Sequence, residues 1–110
     1  MLCDAGDIVV VPFPFTDGPG VKRRPALVIS PSAFNRQAAH SVLAMITSAS
    51  GRAWPGDVPL QGGPLGLHQP CVVRMKFFTF DNRLIVKVIG KLPEGERRQV
   101  RTFLDGLLPS

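Results

Sequence analysis

The chain has 110 residues, with thirteen Lys and Arg against eight Asp and Glu, a net charge of +5 and two cysteines. That length accommodates one domain over residues 1–110, burying roughly two thirds of its unfolded surface, and leaves no room for a second. The positive charge favours polyanionic partners, and its spread over both halves (five cations and three anions in 1–55, eight and five in 56–110) argues for a folded basic surface over a basic tail.

Met1-Leu2-Cys3-Asp4 carries no basic n-region, and the apolar run after it, about eight residues long, is too short for a membrane span. A cytoplasmic protein without membrane association is expected. Residues 8–11 are a β-branched run, Phe13 and Phe15 alternate with Pro12 and Pro14, and residues 26–29 are a second apolar run, so two strands are predicted. Between them Asp17-Gly18-Pro19-Gly20 marks a turn leading into Lys22-Arg23-Arg24. The pair reads as a hairpin with a charged tip, and three adjacent cations point to a phosphate-bearing partner.

Pro31 stops the second strand, and residues 32–40 read as a polar connection with at most one helical turn. Residues 41–48 form the third strand, with Val42 to Ile46 mostly buried. A loop at 49–56 holds the only Trp, a short strand is expected near 57–60, and Gly62-Gly63-Pro64 marks another connection. Residues 71–80 and 84–89 read as two further strands. Pro93-Glu94-Gly95-Glu96 then opens a C-terminal helix, with the two Glu complementing the positive end of its dipole. Val100, Phe103, Leu104 and Leu107 fall on one stripe that should pack against the strands. Short strands separated by turn signals and closed by one helix suggest a mainly β small barrel. Cys3 and Cys71 have no metal-ligand spacing and are expected as reduced thiols, so no metal and no cofactor are implied.

The segment GDIVVVPFPFTD at 6–17, followed by KRRPALVIS at 22–30, resembles the opening of the MazF/PemK family of bacterial toxins. Further matches follow in the family's order: Ala44-Met45-Ile46-Thr47-Ser48, then Val72-Val73-Arg74 with Lys76-Phe77-Phe78-Thr79-Phe80-Asp81, then Gly90-Lys91-Leu92 before the last helix. The resemblance implies an SH3-like small barrel of the CcdB/PemK-like kind with a C-terminal α-helix, usually a homodimer. It also implies the toxin of a type II toxin–antitoxin system: a metal-independent endoribonuclease that cleaves single-stranded mRNA and so inhibits translation. A cognate antitoxin is expected to block the site through a disordered acidic segment.

Metal-free RNA cleavage uses the neighbouring 2′-OH as nucleophile, so a site must position that hydroxyl, stabilise charge on the phosphorane and protonate the leaving 5′-oxygen. Arg24 is the first catalytic candidate. Its guanidinium can fork onto two phosphate oxygens, Pro25 fixes the chain after it, and it matches the catalytic Arg of the family's Arg-Pro pair. Because an Arg is a poor proton carrier, its assigned role is transition-state stabilisation. Thr47 is the second catalytic candidate, a hydroxyl at the end of an apolar strand that matches the family's site Thr.

Lys22 and Arg23 are expected to bind RNA phosphates without doing chemistry, and Ser48 to contact RNA beside Thr47. Arg52 and Trp54, in one loop, have the residue types that hold unpaired bases, and Lys76 would contact RNA if its strand face borders Arg24. Read without the resemblance, the three-cation run is a solvated basic loop, Trp54 covers a barrel end, and Lys76 is a solvated strand residue. Asp17 is placed to pair with Arg23 or Arg24. His40 and His68 lie in no matching motif and read as incidental surface residues. Two rival functions remain: a non-enzymatic gyrase poison of the same broad fold, acting through the C-terminal helix at Leu107 and Leu108, and an SH3-like module that binds nucleic acid or peptide without turnover.

Overall fold

The alternating segments become six antiparallel strands of one sheet: β1 (Asp7–Phe13), β2 (Lys22–Val28), β3 (His40–Ser48), β4 (Val58–Leu60), β5 (Cys71–Asp81) and β6 (Lys87–Lys91), in the order β4-β5-β3-β2-β1-β6. Two helices complete the chain, α1 (Ser32–Ala38) and α2 (Glu94–Leu107). The computed structural model describes residues 1–13, 22–61, 63–67 and 69–109. The expected turn at 17–20, with Phe15 and Asp17, and His68 lie outside the described residues.

Both faces of the sheet are apolar, and the period of two sorts the side chains between them. Ile8, Leu27, Ala44, Ile46, Val73 and Met75 face α2 and form one core with Val58, Leu60, Leu92 and Val100. Val9, Val11, Ala26, Val28, Leu43 and Phe80 face the other way and form a second core with Cys3 and Ile85. The free thiols of Cys3 and Cys71 are buried, one in each core. The sheet curls until its edges approach: a Cβ on Gly90 of β6 would lie 2.5 Å from Leu65, in the turn after β4. This half-barrel with a terminal helix is the mainly β architecture expected from the sequence.

Local differences from the sequence reading have physical causes. Lys22, Arg23 and Arg24 lie in strand β2 rather than at a loop tip, paired with Phe13, Pro12 and Val11. α1 runs for seven residues instead of one turn. Its Asn35 is fully buried, donating from Nδ2 to the carbonyls of Cys3 and Ser30, both at 3.0 Å, and accepting from the Ser30 hydroxyl at 2.5 Å. The Asn35 carbonyl accepts from Asn82 Nδ2 at 2.8 Å, and Asn82 Oδ1 accepts from the Ser41 hydroxyl at 2.6 Å. This buried network ties α1 to β3 and to the link after β5, and every bond in it raises the value of the others.

Asp81 caps a turn at Asn82–Leu84 by accepting from the Arg83 N–H at 2.9 Å, so the last strand begins at Lys87 rather than at 84. On α2, Val100 is buried and Phe103 and Leu104 are half-buried, whereas Leu107 is 43% exposed because the last turn runs past the sheet. A Cβ on Gly56, at φ +82°, would lie 2.6 Å from the Phe103 ring, so glycine lets the loop before β4 close on the helix. Among the described residues no helix is long and apolar enough to cross a membrane.

Candidate active site

β2 and β3 pair with Ala26 opposite Met45 and Leu27 opposite Ala44. Continued by two residues, that register sets Arg24 opposite Thr47, and alternation puts both on the face of the second core, away from α2. They line one recess of about 160 Å³ together with Val11, Phe13, Pro25, Met45, Ile46 and Phe78. The β2–β3 ladder begins only after Pro25, which has no N–H to donate. Two strand ends therefore frame the recess, with an apolar floor supplied by the second core.

The recess is a cation and a hydroxyl over an apolar floor. Arg24 is exposed and makes no ion pair with a described residue, so no described carboxylate competes with an anion for its guanidinium. A low-dielectric floor strengthens any charge-assisted bond formed above it. Among the described residues no cluster of three His, Cys, Asp or Glu is arranged to hold a metal ion.

The other sequence candidates separate into groups. Lys22, opposite Phe13, shares Arg24's face, whereas Arg23, opposite Pro12, takes the other by alternation. Ser48 also takes the face opposite Thr47, and its hydroxyl is bonded to the Ser50 hydroxyl at 2.8 Å. Lys76 is absent from the recess lining and instead sets its ammonium 4.6 Å from the centroid of the Trp54 ring. The exposed Arg52 contributes its carbonyl, which accepts from Arg74 Nη2 at 3.2 Å. His40 begins β3, seven residues and about 23 Å from Thr47, with its ring nitrogen against the Ala38 carbonyl at 3.1 Å.

Two residues outside the sequence candidates organise this end of the sheet. Arg74, opposite Met45 on β5, donates from Nε to Asp57 Oδ1 at 3.1 Å and from Nη2 to Oδ2 at 2.8 Å. Asp57 Oδ2 also accepts from the Trp54 N–H at 3.0 Å. The Arg74 hydrogen bonds, aided by that N–H, hold the Asp57 carboxyl below its ordinary pKa against the opposing effect of burial. The only sequence signal for Arg74 is its place in the Val72-Val73-Arg74 match; Asp57 carries none.

Comparison with known proteins accords with this architecture. The family described as PemK-like, MazF-like toxin of type II toxin-antitoxin system matches residues 4–108. A search of curated proteins found no significant match. Among solved structures, a MazE–MazF complex from Deinococcus radiodurans is 30% identical, with a TM-score of 0.77 over 97% of this chain and 96% of the other. MazF alone from the same organism is 28% identical, with a TM-score of 0.75 over 97% and 96%. An endoribonuclease in complex with its cognate antitoxin, from a mycobacterial species, is 20% identical and shares the fold, with a TM-score of 0.73 over 98% of each chain. Matched along nearly its whole length, the chain belongs to the PemK-like, MazF-like toxins of type II toxin–antitoxin systems.

Proposed function

We propose that this toxin is a metal-independent endoribonuclease acting on single-stranded mRNA, with Arg24 and Thr47 at the scissile phosphate. The observation that carries this reading is their convergence on one recess across the β2–β3 register. The Arg24 fork donates to the two non-bridging oxygens, and the Thr47 hydroxyl orients the attacking 2′-OH. Attack forms the O2′–P bond and breaks the P–O5′ bond; the 2′-OH loses its proton and the departing 5′-oxygen gains one. Charge builds on the phosphorane in between, where a guanidinium over an apolar floor stabilises it most. Lys22, on the same face, binds a neighbouring phosphate.

A cognate antitoxin follows from family membership, supported by the Deinococcus radiodurans MazE–MazF complex. An acidic segment that orders on a +5 surface suits such a partner. The toxin is proposed to act as a homodimer in the cytoplasm, its mass in solution being read by sedimentation. The gyrase-poison alternative would depend on Leu107 and Leu108, exposed at the end of α2, and it leaves the Arg24–Thr47 recess without a role.

The deciding experiment incubates a long unstructured RNA with the purified protein in excess EDTA, with Arg24→Ala and Thr47→Ala alongside. Site-specific cuts by the native protein that both variants lose are expected. Intact RNA in every lane would overturn the reading.

A further inference from the structure

Trp54 is the only tryptophan in a chain without tyrosine, and it stands 40% exposed in the loop after β3. Its backbone is fixed. The Trp54 N–H donates to Asp57 Oδ2 at 3.0 Å, its carbonyl accepts from the Asp57 N–H at 3.1 Å, and Asp57 is gripped twice by Arg74. The loop is therefore built to hold an indole at a set place while leaving much of the ring in water. An aromatic that merely sealed the barrel end would be buried.

That place relates to the recess through register. Met45 lines the recess and pairs with Arg74 on the neighbouring strand, so the two share a face. Met75 and Lys76 fall between successive register partners of β3; Met75 joins the core beneath α2, and Lys76, two residues from Arg74 and on its face, sets its ammonium over the Trp54 ring. Arg24, two residues along β2 from the partner of Met45, thus lies about 12 Å from Arg74 across β2, β3 and β5, and Arg74 leads on to the Trp54–Lys76 stack. A single strand bound at Arg24 reaches the indole in a short step.

We propose that Trp54 is a nucleobase-stacking site for the RNA strand whose scissile phosphate lies at Arg24, with Lys76 occupying the ring in the free protein. This rests on the ribonuclease reading above. A base is the better occupant, since stacking on an exposed indole exceeds an exposed ammonium contact. On binding, the Lys76 ammonium moves from the ring to the phosphate adjoining that base. Asp57 and Arg74 are positioning residues that hold the indole.

The test uses the single indole as its own reporter. The native protein is titrated with a mixed-sequence, unstructured 2′-O-methyl RNA, which cannot supply the nucleophile, while Trp54 fluorescence and electrophoretic mobility are followed together. Saturable quenching that tracks the mobility shift is expected. Trp54→Ala should lower affinity about 5- to 150-fold, with the loss on cleavable RNA appearing in KM rather than kcat, while Trp54→Phe recovers most of it. Lys76→Met should reduce the salt slope of binding by about 0.7. A mobility shift without quenching, or Trp54→Ala with native KM, overturns the proposal while Arg24-dependent cleavage stands. Quenching without cleavage of natural RNA keeps the base site and overturns the ribonuclease reading, and the absence of any binding overturns both.

Discussion

Arg74 and Asp57 meet through two hydrogen bonds, 3.1 and 2.8 Å long, across 17 residues of sequence, and the Arg74 guanidinium reaches on to the Arg52 carbonyl. One side chain on β5 thereby fixes both ends of the segment that carries Trp54. Because hydrogen bonding depresses the Asp57 pKa, its contribution to stability is complete above the ordinary carboxylate value of about 3.9 and is lost as pH falls through the lower folded value. Asp81, held to about 2 chiefly by the Arg83 side chain, behaves in the same sense. Thermal melts of native protein and Asp57→Asn should therefore differ by a constant margin from about pH 5 to pH 8 and converge below about pH 4. A margin that widens in acid would contradict this.

At the recess, Arg24→Ala should lower kcat about 100- to 1,000-fold, the usual cost of removing a donor from developing negative charge. Arg24→Lys should recover little, since an ammonium lacks the fork. Thr47→Ala should cost about 10- to 100-fold, while Thr47→Ser keeps most of the rate. Single-turnover cleavage with equal amounts of folded protein measures all four.

Lys22 and Arg23 are neighbours in sequence but stand on opposite faces of β2. Lys22→Ala should reduce the slope of log affinity against log salt for single-stranded RNA by about 0.7, and Arg23→Ala should change it much less. Equal effects would mean that RNA wraps the strand edge.

The Asn35 network predicts a stability effect remote from the recess. Asn35→Ala removes three side-chain hydrogen bonds and strands their partners in the interior. A loss of about 3 kcal/mol follows, lowering Tm by roughly 10 °C. Scanning calorimetry provides the measurement, with kcat for RNA expected to change little at a temperature where the variant stays folded.

The six strands are legible in the sequence because a sheet covered on both faces needs apolar residues at nearly every position, and only turns interrupt them. Thr47 closes an apolar strand run and Arg24 stands just before one, after two further cations, so it is the family resemblance that singles the two out. Lys76 is different: alternation gives its strand face, but the Trp54 ring that meets it there depends on where the loop after β3 returns. Arg74 and Asp57 are hidden because an ion pair spanning a loop depends on where the loop returns. Asn35 is hidden because a buried amide looks like any loop polar residue until its partners surround it.

The bulge in β5 carries two residues, Met75 and Lys76, between the partners of Met45 and Ala44. An even number leaves the strand in phase: Arg74 before it and Phe78 after it address the same side of the sheet, one clamping a loop and the other lining the recess. Loss or gain of one residue there would rotate everything on one flank by half a period, exchanging Val73 for Arg74 in the core beneath α2. With its two residues the bulge thus acts as a reading frame for the two cores, seating Val73 and Met75 beneath α2 and Phe80 in the other.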